Sequence, residues 1–109
     1  MTGPTPETRQ ACWVRDDGMC VACGIRLDVF SELHHRRPRG AGGTKRPETN
    51  LPSNLIWLCR ECHVWVESHR KEARTFGYLV AQHETPASVA VAHHCWLVFL
   101  TDDATLEEA

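Results

Sequence analysis

Two Cys-x-x-Cys pairs, Cys20-Val21-Ala22-Cys23 and Cys59-Arg60-Glu61-Cys62, constrain this chain more than any other feature. Thiolates two residues apart on a tight turn suit a tetrahedral Zn²⁺, with Zn–S distances near about 2.3 Å. Redox Cys-x-x-Cys motifs usually occur singly in a βαβ setting, and that setting is absent. The pairs therefore predict a structural zinc held by Cys20, Cys23, Cys59 and Cys62. Thirty-five residues lie between Cys23 and Cys59, where a simple ribbon has about 15–20. The zinc would hold the ends of a long excursion together, adding on the order of 10 kcal/mol to a small core. Cys12 and Cys95 have no partner at ligand spacing and read as small buried hydrophobes.

Three histidines sit beside the clamp: His34-His35 in the excursion, and His63 directly after Cys62. The clamp that fixes Cys62 also fixes His63 at the first turn of a helix, with Glu67 four residues on and so on the same face. In a regular strand the rings of His34 and His35 point to opposite faces, so they can divide duties. Metal-assisted hydrolysis needs that division, with one imidazole as ligand and another as free base. Asn54, taken alone, reads as a turn or strand-entry residue.

At 109 residues, 42% hydrophobic and 24% charged, the chain is expected to be one small globular domain. No apolar run approaches the roughly 18 residues of a membrane span. Met1 to Gln10 has no apolar stretch and is not read as a signal peptide. A reducing cytoplasm is the expected compartment. The net charge is −2, yet Arg36, Arg37, Arg39, Lys45 and Arg46 fall in one window without an acid. Screening limits charge interactions to about 8–10 Å, so such a patch can bind phosphates whatever the total. The other reading of the window is a solvated arginine-rich loop.

Along the chain, residues 1–7 read as a disordered lead-in and Glu7 to Arg15 as a short helix stopped by Asp16-Asp17-Gly18. Gly24 lets the backbone turn after Cys23. A strand is expected over 29–35, then a long irregular loop to Ser53, a strand over Leu55-Ile56-Trp57-Leu58, and a helix from Cys62 to Thr75 stopped at Gly77. Tyr78-Leu79-Val80, Val89-Ala90-Val91 and 96–100 look like a small sheet completing the core, with an acidic tail behind it. His83, His93 and His94 are expected at the surface.

Taken together, Leu33-His34-His35-Arg36, Gly42-Gly43 and Asn54-Leu55-Ile56-Trp57-Leu58-Cys59-Arg60-Glu61-Cys62-His63 closely resemble the HNH endonucleases. The resemblance runs from about Cys20 to Glu67. Trp65-Val66-Glu67-Ser68 and Gly77-Tyr78-Leu79-Val80 look, more loosely, like small stand-alone HNH proteins of tailed bacteriophages.

The resemblance implies an α+β fold: a small ββα-metal core over 8–76, with its ββα unit over 29–75, stabilised by the four-cysteine zinc site. A short C-terminal β-rich extension over 77–109 would pack on it. It implies a metal-dependent endonuclease that hydrolyses DNA phosphodiester bonds to 5′-phosphate and 3′-hydroxyl ends. His34 and His63 would hold a single divalent metal (Mg²⁺, Mn²⁺ or Ni²⁺), His35 would be the general base, and Asn54 would brace the backbone near that base. Many members carry a third histidine four residues after the one at position 63. Glu67 stands there instead, as a carboxylate ligand or as a solvated helix residue. The partner would be double-stranded DNA, contacted by Arg36, Arg37, Arg39, Lys45 and Arg46. Two alternatives remain at this point. One is a non-catalytic zinc-dependent DNA-binding module. The other is a phage DNA-packaging accessory nuclease acting with a terminase large subunit in the host cell cytoplasm.

Overall fold

The computed structural model describes residues 3–38 and 47–109. The fold is α+β. Helix α1 spans Pro6–Arg15, strand β1 Glu32–His35, strand β2 Leu55–Leu58, and helices α2 and α3 Arg60–Ser68 and Arg70–Thr75. Strands β3, β4 and β5 follow at Val91–His93, Trp96–Leu100 and Leu106–Glu108. Two antiparallel sheets result, β1-β2 and β3-β4-β5. Among the described residues no helix is long and apolar enough to cross a membrane.

Local chemistry explains where the elements start and stop. Helix α1 begins one residue before the expected Glu7, so the chain is ordered within the supposed lead-in. The Thr5 hydroxyl accepts the Thr8 amide at 3.1 Å, and Pro6 takes the first helical position. Strand β1 is shorter than its apolar run suggested. Val29 and Phe30 are exposed in a turn, where the Phe30 amide donates to the Asp28 carboxylate at 2.9 Å. Helix α2 starts earlier than expected, because the Cys59 sulfur caps it by accepting the Cys62 amide at 3.4 Å. It ends at His69, whose φ of −126° and ψ of 56° break the expected single helix in two. At the end of α3, Gly77 has φ +80°, and a Cβ there would lie 2.1 Å from the Ala90 carbonyl oxygen.

All four residues of β2 are buried, and they form the centre of the core with Val21, Leu27, Val66 and Leu79. Trp13 meets Trp57 edge-on at 5.3 Å, seating α1 on this sheet. The register places Leu33 opposite Trp57 and His35 opposite Leu55. The C-terminal segment departs from expectation. Tyr78, Leu79 and Val80 are buried but form no strand; the Val80 amide donates to the Arg36 carbonyl at 2.8 Å. Strand β3 begins only at Val91, and β5 lies in the polar stretch read as an acidic tail.

Two expectations about single residues are corrected here. His93 is not a surface residue: it is 4% exposed and its Nε2 lies 2.9 Å from Asp16. The neighbouring His94 is only partly exposed, with its Nε2 buried and its ring 4.2 Å from that of His93. Cys95, expected inside, is exposed at φ +74°, because the β3–β4 turn needs that conformation. Cys12 is buried as expected.

Asp16 ties the two sheets and α1 together. It is fully buried, accepts Arg15 Nε at 2.8 Å and the Trp57 amide at 3.1 Å, and meets His93 on β3. Arg15 then donates onward to the carbonyls of Pro52 and Leu55. Burial alone would raise the Asp16 carboxyl, but the hydrogen bonds from His93 and Arg15 outweigh it and hold the group below its ordinary value. Its stabilisation is therefore complete above the unfolded value of about 3.9 and is lost as pH falls through the folded one. Asp16→Ala strands the buried guanidinium and is expected to cost about 3–5 kcal/mol. Urea denaturation at pH 7 and at pH 3 checks both statements: the variant's deficit relative to wild type is smaller in acid.

Candidate metal centres and cleft

The two knuckles meet as the cysteine spacing requires. Cys20, Cys23, Cys59 and Cys62 bring one sulfur each to within 4.8 Å of the others. The Cys23 and Cys59 sulfurs are 3.8 Å apart, which is the edge of a tetrahedron with Zn–S bonds of about 2.3 Å. The first knuckle is shaped by Gly24, at φ +78°, whose amide donates to the Cys20 carbonyl at 2.8 Å. Burial pushes the Cys59 thiol up to about 11 and raises Cys62 as well. At Cys20 burial acts the same way, but backbone hydrogen bonds at Cys23, Cys59 and Ala22 outweigh it and the thiol titrates below its ordinary value. Four sulfurs held this close carry charge only beside a cation, and Zn²⁺ supplies one. The donor set fits zinc.

A second group forms around α2. His34 on β1, with His63 and Glu67 on α2, each bring one ligand atom to within 4.8 Å of the others. Glu67 Oε2 lies 3.9 Å from His34 Nδ1 and 3.9 Å from His63 Nε2. Ligands of one ion, each about 2.1 Å from it, are at most about 4.2 Å apart. The three groups fit a divalent cation.

The outer nitrogen of each ring fixes which atom faces inward. His34 Nε2 lies 2.8 Å from the Tyr78 carbonyl, which only accepts, so Nε2 carries the proton and Nδ1 presents its lone pair. His63 Nδ1 lies 3.0 Å from the Glu32 carboxylate, leaving Nε2 to face Glu67. Burial lowers the His34 pKa to about 4, which keeps the ring neutral near pH 7.

His35 follows a different pattern. Its Nε2 lies 2.8 Å from Asn50 Oδ1, so Nε2–H donates there and Nδ1 is left as a lone pair. His34 and His35 were expected on opposite faces, yet both line one open cleft of about 290 Å³, with Leu33, Pro38, His63, Glu67 and Arg70. The strand ends at His35 and the chain bends at Arg36, so His35 is the last residue of regular strand.

Asn54 is fully buried and braces this bend. Its Oδ1 accepts the Arg37 amide at 2.7 Å, its Nδ2 donates to the Thr49 carbonyl at 2.9 Å, and its own carbonyl accepts the Arg36 amide at 2.7 Å. One side chain thus ties the segment after His35 to the segment that carries Asn50.

Two of the five expected phosphate contacts, Arg36 and Arg37, do not survive. Arg36 is fully buried and donates to the carbonyls of Gly77, Ser53, Pro86 and Val89 at 2.7–3.1 Å. Burial lowers its pKa to about 9, still charged near pH 7. Arg37 is 7% exposed and is held by the Glu84 carbonyl and the Glu48 carboxylate. Both cations hold loops together and neither is open to a ligand. Arg39, Lys45 and Arg46 lie outside the described residues.

Three residues that line the cleft or hold its histidines were missed in the sequence. Glu32 was legible in principle, two positions before His34 and so on the same strand face. Arg70 follows Glu67 at helical spacing, and its NH1 donates to Glu67 Oε1 at 2.8 Å. Asn50 had no signal that set it apart from other loop residues.

The four-cysteine site yields a direct expectation. The purified chain carries one tightly held Zn²⁺ by elemental analysis, and Cys59→Ser loses both the metal and the cooperative thermal transition.

Residues 20–68 match the family model described as HNH endonuclease. No curated protein compared with the chain matches it. A domain of this family supports a nuclease-type function, DNA cleavage or DNA binding.

Proposed function

We propose, from the match of residues 20–68 to the HNH endonuclease family, that the chain is a metal-dependent endonuclease hydrolysing phosphodiester bonds of double-stranded DNA. One observation carries the reading: His34 Nδ1, His63 Nε2 and Glu67 Oε2 converge in a cleft that His35 lines without joining them. A DNA-binding module has no use for a ligand set with a separate imidazole beside it.

In this reading His34, His63 and Glu67 hold the divalent cation, and Glu67 takes the place of the third histidine common in the family. A carboxylate oxygen favours Mg²⁺ or Mn²⁺ over softer ions. When bound, such a cation supplies Lewis-acid stabilisation of the negative charge that builds up on the phosphoryl oxygens and on the departing 3′ oxygen. His35 Nδ1 takes a proton from water, which attacks phosphorus in line with the P–O3′ bond. That bond breaks, the departing 3′ oxygen takes a proton from solvent water, and a 5′-phosphate and a 3′-hydroxyl remain. Asn50 holds the His35 ring in the tautomer this step needs, because its Oδ1 accepts the Nε2 proton. Asn54 is a positioning residue for both, through the backbone on either side of them.

Supercoiled plasmid incubated with the protein and Mg²⁺, Mn²⁺ or Ni²⁺ tests the proposal. Wild type is expected to nick or linearise it. His35→Ala should lower the rate by about 10²–10⁴-fold, the usual worth of a general base, while still binding DNA. Asn50→Ala should lower kcat more than it raises KM, and Glu67→Ala should shift the order of metal preference. Intact plasmid under every metal, with wild type and His35→Ala binding it alike, would leave only the binding-module reading.

A further inference from the structure

The family match ends at residue 68, but the side chains that line the cleft continue past it to Arg70. The backbone breaks at His69, so α2 and α3 are separate helices, and the bond from Arg70 NH1 to Glu67 Oε1 at 2.8 Å holds Arg70 beside Glu67 across the break. Arg70 and Arg74, four residues apart, share one face of α3. In chain order the residues are His63, Glu67, Arg70 and Arg74: two of the ligand group followed by two guanidiniums.

Arg70 lines the cleft and keeps 46% of its side chain exposed. A guanidinium has five N–H donors, and Glu67 accepts from only one of its nitrogens. The rest of the planar fork is open to the cleft and to solvent. Arg74 is exposed on α3, four residues further along, about 6 Å on. Arg36 and Arg37 are engaged by carbonyls and Glu48, so among the described residues Arg70 is the cation that lines the cleft, and Arg74 follows it along α3. Glu72 is also exposed on α3, but at two positions from Arg70 and from Arg74 it does not share their face.

We infer that α3 is the duplex-binding edge of the cleft, with Arg70 gripping a phosphate beside the bond to be cut and Arg74 the next phosphate outward. The partner is the backbone of double-stranded DNA, recognised by charge and by the bidentate match of guanidinium to phosphate rather than by base sequence. The inference rests on the nuclease reading for what occupies the cleft. It also gives Glu67 a second role, in which one carboxylate oxygen faces the two imidazoles while the other aims Arg70.

Fluorescence anisotropy of a labelled duplex, measured across salt concentrations with the full chain and no added divalent metal, tests it. Arg70→Gln/Arg74→Gln should bind about ten-fold more weakly or worse. Its slope of log K against log salt should be shallower by about 1.8, from two phosphates at about 0.9 each. Arg26→Gln/Arg60→Gln removes the same charge from exposed positions elsewhere and should leave the slope unchanged. Arg70→Lys/Arg74→Lys should recover the slope but only part of the affinity, since lysine lacks the planar fork. Equal zinc content and circular dichroism confirm that each variant is folded.

An unchanged slope in the Arg70/Arg74 variant, or an equal drop in the Arg26/Arg60 control, overturns the inference. Plasmid cutting by wild type would leave the nuclease reading standing in that case. A wild-type protein that binds through α3 but never nicks plasmid sinks the nuclease reading and keeps the inference. Absence of duplex binding by wild type removes both.

Discussion

The constraint on which everything else depends is the closure of two knuckles, far apart in the chain, into one four-sulfur cluster. A strand pair of four residues on each side has too few ladder hydrogen bonds to be stable alone in water. Here the end of β1 and the first turns of α2 are brought together from both directions. Cys59 belongs to the cluster and also caps α2 through the Cys62 amide, so the position of the sulfur and the phase of the helix are set together. The phase matters because it decides which α2 side chains face β1. With Cys59 as the cap, His63 and Glu67 face His34, and Val66 turns into the core.

Around this closure the protein directs its buried polar groups to backbone. Arg36 and Asn54 are fully buried, and their bonds run to amides and carbonyls of the backbone, while the equally buried Asp16 gathers the Arg15 guanidinium, His93 and the Trp57 amide. The segment between β1 and β2 is irregular, so its peptide groups have no ladder to satisfy them. Arg36 alone serves four carbonyls from three separate stretches of chain. A guanidinium can do this because its donors fan out in a plane, and a lysine could not. The tail takes part as well, since the Ser53 hydroxyl bonds to Asp102 and His93 reaches Asp16. The C-terminal segment is thereby joined to the end of the β1–β2 loop at Ser53 and to the C-cap of α1 at Asp16.

Each imidazole of the cleft is set by its outer neighbour. Tyr78 supplies a carbonyl to His34, Glu32 a carboxylate to His63, and Asn50 an amide oxygen to His35. Three acceptors from three different stretches of chain fix three tautomers, and the free nitrogens of His34 and His63 both face Glu67 while His35 lines the same cleft. The chemistry of the cleft is thus written in the partners of its residues as much as in the residues themselves.

Much of this was legible in the chain. The Cys-x-x-Cys spacing determined the four-sulfur site, because ligand geometry at a tetrahedral ion tolerates few spacings. The apolar run 55–58 determined β2, and the spacing of 63 and 67 put both side chains on one face. These are local periodicities, and local periodicity survives into any fold. Burial of a charge does not follow from it. Arg36 and Arg37 read as free cations, and His93 as a surface ring, because nothing in their neighbours along the chain announces the carbonyls and carboxylate that meet them. Those partners come from residues 11 to 77 positions away. The sequence determined which groups could bind a metal or carry a proton. Only the tertiary structure decided which cations were left facing the cleft, because that depends on which distant backbone groups needed a donor first.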